Sequence, residues 1–268
     1  MKMLKSIIGL FIVLLFGFSC SNNNSSKKSA DALDDIVIDD IETVVDDVSI
    51  PTSYNIIELL NKSGAGYVFD ITNPSQNIDN YISYRQKAIN LGVYASDLTY
   101  TTTYQKKDET AKYLDNFVQL VGDLEISTLN QAFFESLQNN LDNRDSLLII
   151  VKKAQDDTYK FLKETGNTEL ALYSLTGSFV EGLYLVGATI KFADEKQNLY
   201  QLLLKNKKTL NDIIKLMDPK KDDEGFSDLY KSLNKINHLF IKLEKNNNDI
   251  KTLKLLKQEI LDFRNSII

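Results

Sequence analysis

Residues 168–193 read TELALYSLTGSFVEGLYLVGATIKFA, and this stretch decides the fold class. Leu172, Leu175, Phe179, Leu183, Val186 and Ile190 recur at helical spacing and form one apolar stripe. The opposite side carries Ser174, Ser178, Glu181, Gly182, Leu185 and Ala188, so the helix has no charged face. A helix of that kind is buried on two sides. Gly177, Gly182 and Gly187 each weaken it, and close approach of a neighbouring helix is the compensation to expect. A membrane span is the competing reading; Glu181 at the centre of the stretch weighs against it.

Working outward, the helical period persists from Ile50 to the C-terminus. The three prolines, Pro51, Pro74 and Pro219, stand where helices start or stop. Helices are expected over 53–63, from the Asn73-Pro74 cap to about Leu91, and over 93–105 after Gly92. Others follow over 108–124, 128–141, 143–165, 168–193, 195–217, 224–245 and 249–267. Hairpin dipeptides such as Asn-Gly are absent, and no helical-repeat signature stands out. The expectation is an all-α fold: a single multi-helix domain of antiparallel helix hairpins over 51–268. About 220 residues are enough to bury a core without disulfides.

The N-terminus carries an address. Lys2 and Lys5 precede the apolar run Ile7–Phe18, and Gly17-Phe18-Ser19-Cys20 closes it. A run of about 12 residues is shorter than the roughly 20 a spanning helix needs. The arrangement resembles a lipoprotein signal peptide over 1–19, with Gly17 where such signals usually carry Leu. The resemblance implies that Cys20, the only cysteine, becomes the acylated first residue, with palmitate among its acyl groups. It also implies a cell-envelope location, on the outer membrane because Ser21 and not Asp follows the cysteine. Residues 20–50 then read as a flexible tether, rich in Ser and Asn and then in acidic residues from Asp31 to Asp47. The apolar residues between those acids leave open that part of 36–48 docks on the domain.

Without residues 1–19 the chain carries 29 basic and 37 acidic residues, a net charge of −8, which argues against a nucleic-acid partner. Three charges fall on apolar stripes. Arg85 lies between Ile78, Ile82 and Ile89, Asp97 shares a stripe with Val93, Tyr100 and Tyr104, and Glu181 sits in the apolar helix. Buried charges are costly unless paired or functional, so Arg85, Asp97 and Glu181 are expected to meet in one inward network near Tyr94, Tyr100 and Tyr104. A core salt bridge is the first reading of such a network, a polar-ligand site the second and acid–base catalysis the third.

Asn90-Leu91-Gly92-Val93-Tyr94-Ala95-Ser96-Asp97-Leu98-Thr99-Tyr100 resembles a segment of uncharacterised helical lipoproteins of Gram-negative bacteria. Thr176 to Tyr184 is similar to a second block of that family, although Phe179 and Gly182 stand where a Trp and a small polar residue are usual. The likeness spans about 50–190; it implies a shared helical fold and draws attention to Asp97 and Glu181, and it implies no activity.

Other chemistry is missing from the sequence. His238 is the single histidine and Cys20 is committed to lipid, so no soft-metal site can be assembled; a Ser-His-Asp triad would need His238, no nucleophile elbow accompanies it, and no cofactor is expected. A phosphate-cradling glycine loop is absent too. The last third, 196–268, carries 14 Lys and Arg264 against 10 acidic residues, read as solvated helix faces. The expected function is a lipid-anchored, non-enzymatic binding or interaction module that meets the membrane through its N-terminal lipid and takes an envelope protein as partner. The alternatives are a small-ligand binder or hydrolase built on Arg85, Asp97 and Glu181, and a structural component of an envelope complex.

Overall fold

Two helices that are far apart in sequence form the centre of the domain. A computed structural model describes residues 44–45, 48–49, 53–189, 202–246 and 249–268. Cys20, the signal and most of the expected tether lie outside them, as do 190–193 at the end of the apolar helix and 195–201 at the start of the next. Within the tether range, β1 (Val44–Val45) and β2 (Val48–Ser49) pair antiparallel, with Val45 opposite Val48. Among the described residues everything else that is regular is helical: α1 (Ser53–Lys62), a 3-10 turn (Ser75–Asn80), α2 (Tyr84–Thr103), α3 (Lys107–Asp123) and α4 (Gln131–Asn139). After these come α5 (Arg144–Glu164), α6 (Thr168–Thr189), α7 (Lys207–Met217), a 3-10 turn (Asp218–Lys220), α8 (Ser227–Lys245) and α9 (Ile250–Asn265). The all-α fold follows the sequence reading.

Short loops make sequence neighbours antiparallel. Lys87 of α2 reaches Asp123 of α3, Thr128 just before α4 meets Thr158 of α5, and Lys235 of α8 reaches Glu259 of α9. The central pair departs from this pattern. Ile89 meets Gly177 and Tyr100 meets Thr189, so α2 and α6 run in the same direction, their order freed by the three helices between them.

Three boundaries differ from the sequence reading: at Asn73-Pro74, at Gly92, and at Asn206, where a turn interrupts the helix expected over 195–217 just before α7. Helices were expected on either side of Gly92, yet α2 runs through it. Ser83 caps this helix, its hydroxyl accepting from the Gln86 N–H while Gln86 reaches back to the Ser83 N–H. The Asn73-Pro74 signal starts only the 3-10 turn. Gly92 is retained inside a helix because the α6 backbone lies against it: a Cβ there would stand 1.8 Å from the Ser174 carbonyl oxygen. Gly177 does the same in reverse, 2.0 Å from the Ile89 carbonyl. Around this contact Ser96 Oγ donates to Ser178 O at 3.0 Å, and Ser178 Oγ donates to Ser53 Oγ of α1 at 2.9 Å. The seam is polar, with small side chains that allow the backbones to meet.

α6 is long and apolar enough to cross a membrane. Its length and composition are equally those of a core helix, and α1, α2, α5 and α9 cover it here.

Candidate functional site

Asp97 of α2 and Glu181 of α6 come together at the centre of the domain, both fully buried. Arg85 does not join them. The cation is Arg264, from the last turn of α9. Its Nε donates to Glu181 Oε2 at 2.7 Å and its Nη2 to Glu181 Oε1 at 3.1 Å, a two-pronged grip. The guanidinium also lies 4.1 Å from the centroid of the Tyr184 ring.

Arg85 fails as a core residue because its stripe was never on one helix. Ile78 is in the 3-10 turn, Ile82 is 85% exposed in the link before α2, and Arg85 sits in the first turn of α2. It reaches outward to α8, donating to both oxygens of Asp228 at 2.9 and 2.7 Å and to the Gly225 carbonyl at 3.0 Å. Arg264 was legible by the same logic that selected Arg85: with Leu253, Leu256 and Ile260 it forms a stripe at spacings of three and four. The general basicity of the last third concealed it.

The tyrosines also depart from the expected cleft. Tyr94 and Tyr100 are fully buried, and each hydroxyl serves the irregular segment 63–83 that lies over α2. Tyr104 donates to Ala65 O at 2.8 Å, Tyr100 accepts from the Val68 N–H at 2.9 Å, and Tyr94 donates to Pro74 O at 3.0 Å. The charged group joins this work. Arg264 Nη2 donates to Ile71 O at 3.3 Å, and the Asn73 N–H donates to Asp97 Oδ2 at 3.1 Å. Backbone amides and carbonyls without a helix need partners when they are covered, and side chains of α2 and α9 supply them.

One guanidinium neutralises one carboxylate, and two carboxyls are buried here. Geometry selects Asp97 as the proton carrier: Arg264 grips Glu181, whereas Asp97 has one N–H bond and its Oδ1 has no other partner. A proton on Asp97 lets that oxygen serve as donor to the neighbouring Glu181. Burial, and then the Glu181 charge, hold the Asp97 pKa well above its ordinary 3.8, with Arg264 and the Asn73 N–H opposing. Burial also raises Glu181, and Arg264 counters it. The other titratable groups around Asp97 are Tyr81, Tyr94, Tyr100, Tyr113 and Tyr184, whose hydroxyls burial keeps protonated.

A pH dependence follows. Asp97 has a higher pKa in the folded chain than in the unfolded one, so its contribution is complete below about 3.8 and is lost as pH rises through the folded value. Asn at this position does not titrate. Wild type is therefore expected to lose stability relative to Asp97→Asn as pH rises, in urea denaturation at a series of pH values. A gain relative to Asn would overturn the assignment of the proton.

What the arrangement can do chemically is limited by its enclosure. Both carboxyls are fully buried among the described residues, and with Arg264 they hold two helices and a loop together. Among the described residues no group of three or more metal-binding side chains exists. Compared with protein-family models, curated proteins and solved structures, the chain matches none.

Proposed function

We propose that this chain is a lipid-anchored protein of the cell envelope, placed on the outer membrane, whose helical domain is a non-enzymatic binding or interaction module. The observation that carries the second half is the use to which Asp97, Glu181 and Arg264 are put. Asp97 and Glu181, two of the charges the sequence picks out for acid–base work, are buried and, with Arg264, are spent on one another and on the segment 63–83. The anchor half rests on Lys2, Lys5, the apolar run and Cys20, supported by the likeness of Asn90–Tyr100 to helical lipoproteins. In this reading the lipid holds the domain at a surface and the acidic stretch before it sets its reach. A coil of about 30 residues extends to about 30 Å on average, and further when like charges repel.

Cys20→Ser tests the anchor. Metabolic labelling with an alkyne-bearing palmitate is expected to mark the wild-type chain and not the variant, and fractionation should move the variant from membranes to the soluble periplasm. Unlabelled wild type, or a variant that stays with the membrane after high-salt and carbonate washing, would overturn it.

A further inference from the structure

We infer that the corner where α8 turns into α9 rests on an anionic phospholipid surface. This names a second membrane contact beyond the anchor, and it rests on the envelope reading. Lys235 of α8 reaches Glu259 of α9, so the helices run antiparallel and the end of one meets the start of the other. Lys242 and Lys245 are exposed in the last turn of α8, and Lys251 and Lys254 in the first turns of α9. Among the described residues none of these four forms an ion pair.

The acids described at this corner are occupied. Glu244 pairs with Lys207 of α7. Asp249 caps α9, accepting from the Lys251 and Thr252 N–H groups and from the Thr252 hydroxyl. The link Asn246-Asn247-Asn248 adds no charge. Four cations thus gather on a chain whose net charge is −6. The apolar residues separate a lipid surface from other anions. Leu253 and Leu256 face the core, whereas Ile250 and Leu255 stand 44% and 46% exposed, each next in sequence to a lysine. An acidic protein or a free phosphate would answer the ammonium groups and leave both aliphatic side chains in water. A bilayer answers both: headgroup phosphates take the lysines, whose long stems let them reach outward, and the acyl boundary takes Ile250 and Leu255.

Cys20→Ser leaves the chain without a cysteine, so a fluorophore can be placed at one position. In that background Leu255→Cys, labelled with the environment-sensitive dye NBD, should brighten with vesicles of phosphatidylcholine and phosphatidylglycerol. It should not brighten with phosphatidylcholine alone. Ile149→Cys, at a position 66% exposed on α5, should respond to neither. Lys245→Glu with Lys251→Glu should raise the vesicle concentration needed at least about tenfold. Lys153→Glu with Lys160→Glu on α5 changes the net charge equally and should leave it unchanged. A rise with phosphatidylcholine alone, an equal rise at position 149, or an unchanged titration after reversal of Lys245 and Lys251 would overturn the inference. So would a rise with polyglutamate, which assigns the corner to acidic protein, or one driven by protein concentration alone, which assigns it to a second copy. All the positions changed are exposed, so the variants are expected to fold. This background has no acyl group, so the experiment reads the corner alone, and palmitate labelling of wild type reads the anchor alone.

Discussion

Gly92→Ala and Gly177→Ala are each expected to cost the domain about 3 kcal/mol or more, at the upper end of what overpacking does. The reason is the nature of the atoms the new methyl would meet. At Gly92 it would stand 1.8 Å from the Ser174 carbonyl oxygen and 2.7 Å from the Ser178 nitrogen; at Gly177, 2.0 Å from the Ile89 carbonyl oxygen. These are backbone atoms inside helices, which no side-chain rotation can move. Relief requires α2 and α6 to separate, and that separation breaks the Ser96–Ser178 bonds and opens the pairing of Asp97 with Glu181. Gly122→Ala is the control. Nothing lies within 4 Å of its added Cβ, so it should stabilise α3 by up to about 1 kcal/mol. Urea denaturation of the three variants separates the cases. Gly92→Ala or Gly177→Ala as stable as wild type would show that the two backbones do not meet there.

Arg264→Met is expected to lower stability by about 3–5 kcal/mol, the cost of leaving a buried charge without its partner. The variant keeps Glu181 and Asp97 in a fully buried setting with no cation. It also removes the donor to Ile71 O, so segment 63–83 should loosen and hydrogen exchange at residues 68–73 should quicken. Changing Glu181 to Gln and Asp97 to Asn in the same chain should recover a large share of the loss, because the uncompensated charge then disappears. Arg85→Ala provides the contrast. Asp228 is 63% exposed, and ion pairs in such settings contribute up to about 1 kcal/mol. Equal losses in Arg264→Met and Arg85→Ala would overturn the placement of the buried charge.

The two experiments bear on function through one point. If Arg264 is needed chiefly for stability, the central charges are a framework, and binding has to be sought on the outside of the helices.

The sequence by itself determined the helical class, the central burial of 168–189 and the inward position of Asp97 and Glu181. Periodicity is a local property: residues three and four apart share a helix face whatever the helix packs against, and a helix without a charged face is buried on two sides. The same reasoning failed for Arg85 because it assumed one helix across 78–89, where Ser83 and Gln86 start a new one. It predicted close approach for Gly177 and took Gly92, the glycine on the facing helix, for a break. Only the tertiary structure decided that α2 and α6 run in parallel, that Arg264 is the cation between them, and that the tyrosines hold a loop in place of lining a cleft. The first two outcomes depend on pairs separated by 80 residues or more, such as Arg264 with Glu181, 83 apart, and Ser96 with Ser178, 82 apart, and the tyrosine contacts on pairs 20 to 39 apart. No local pattern encodes which partner a buried charge or a bare glycine will meet, because the choice rests on whether the whole set of helices can close around it.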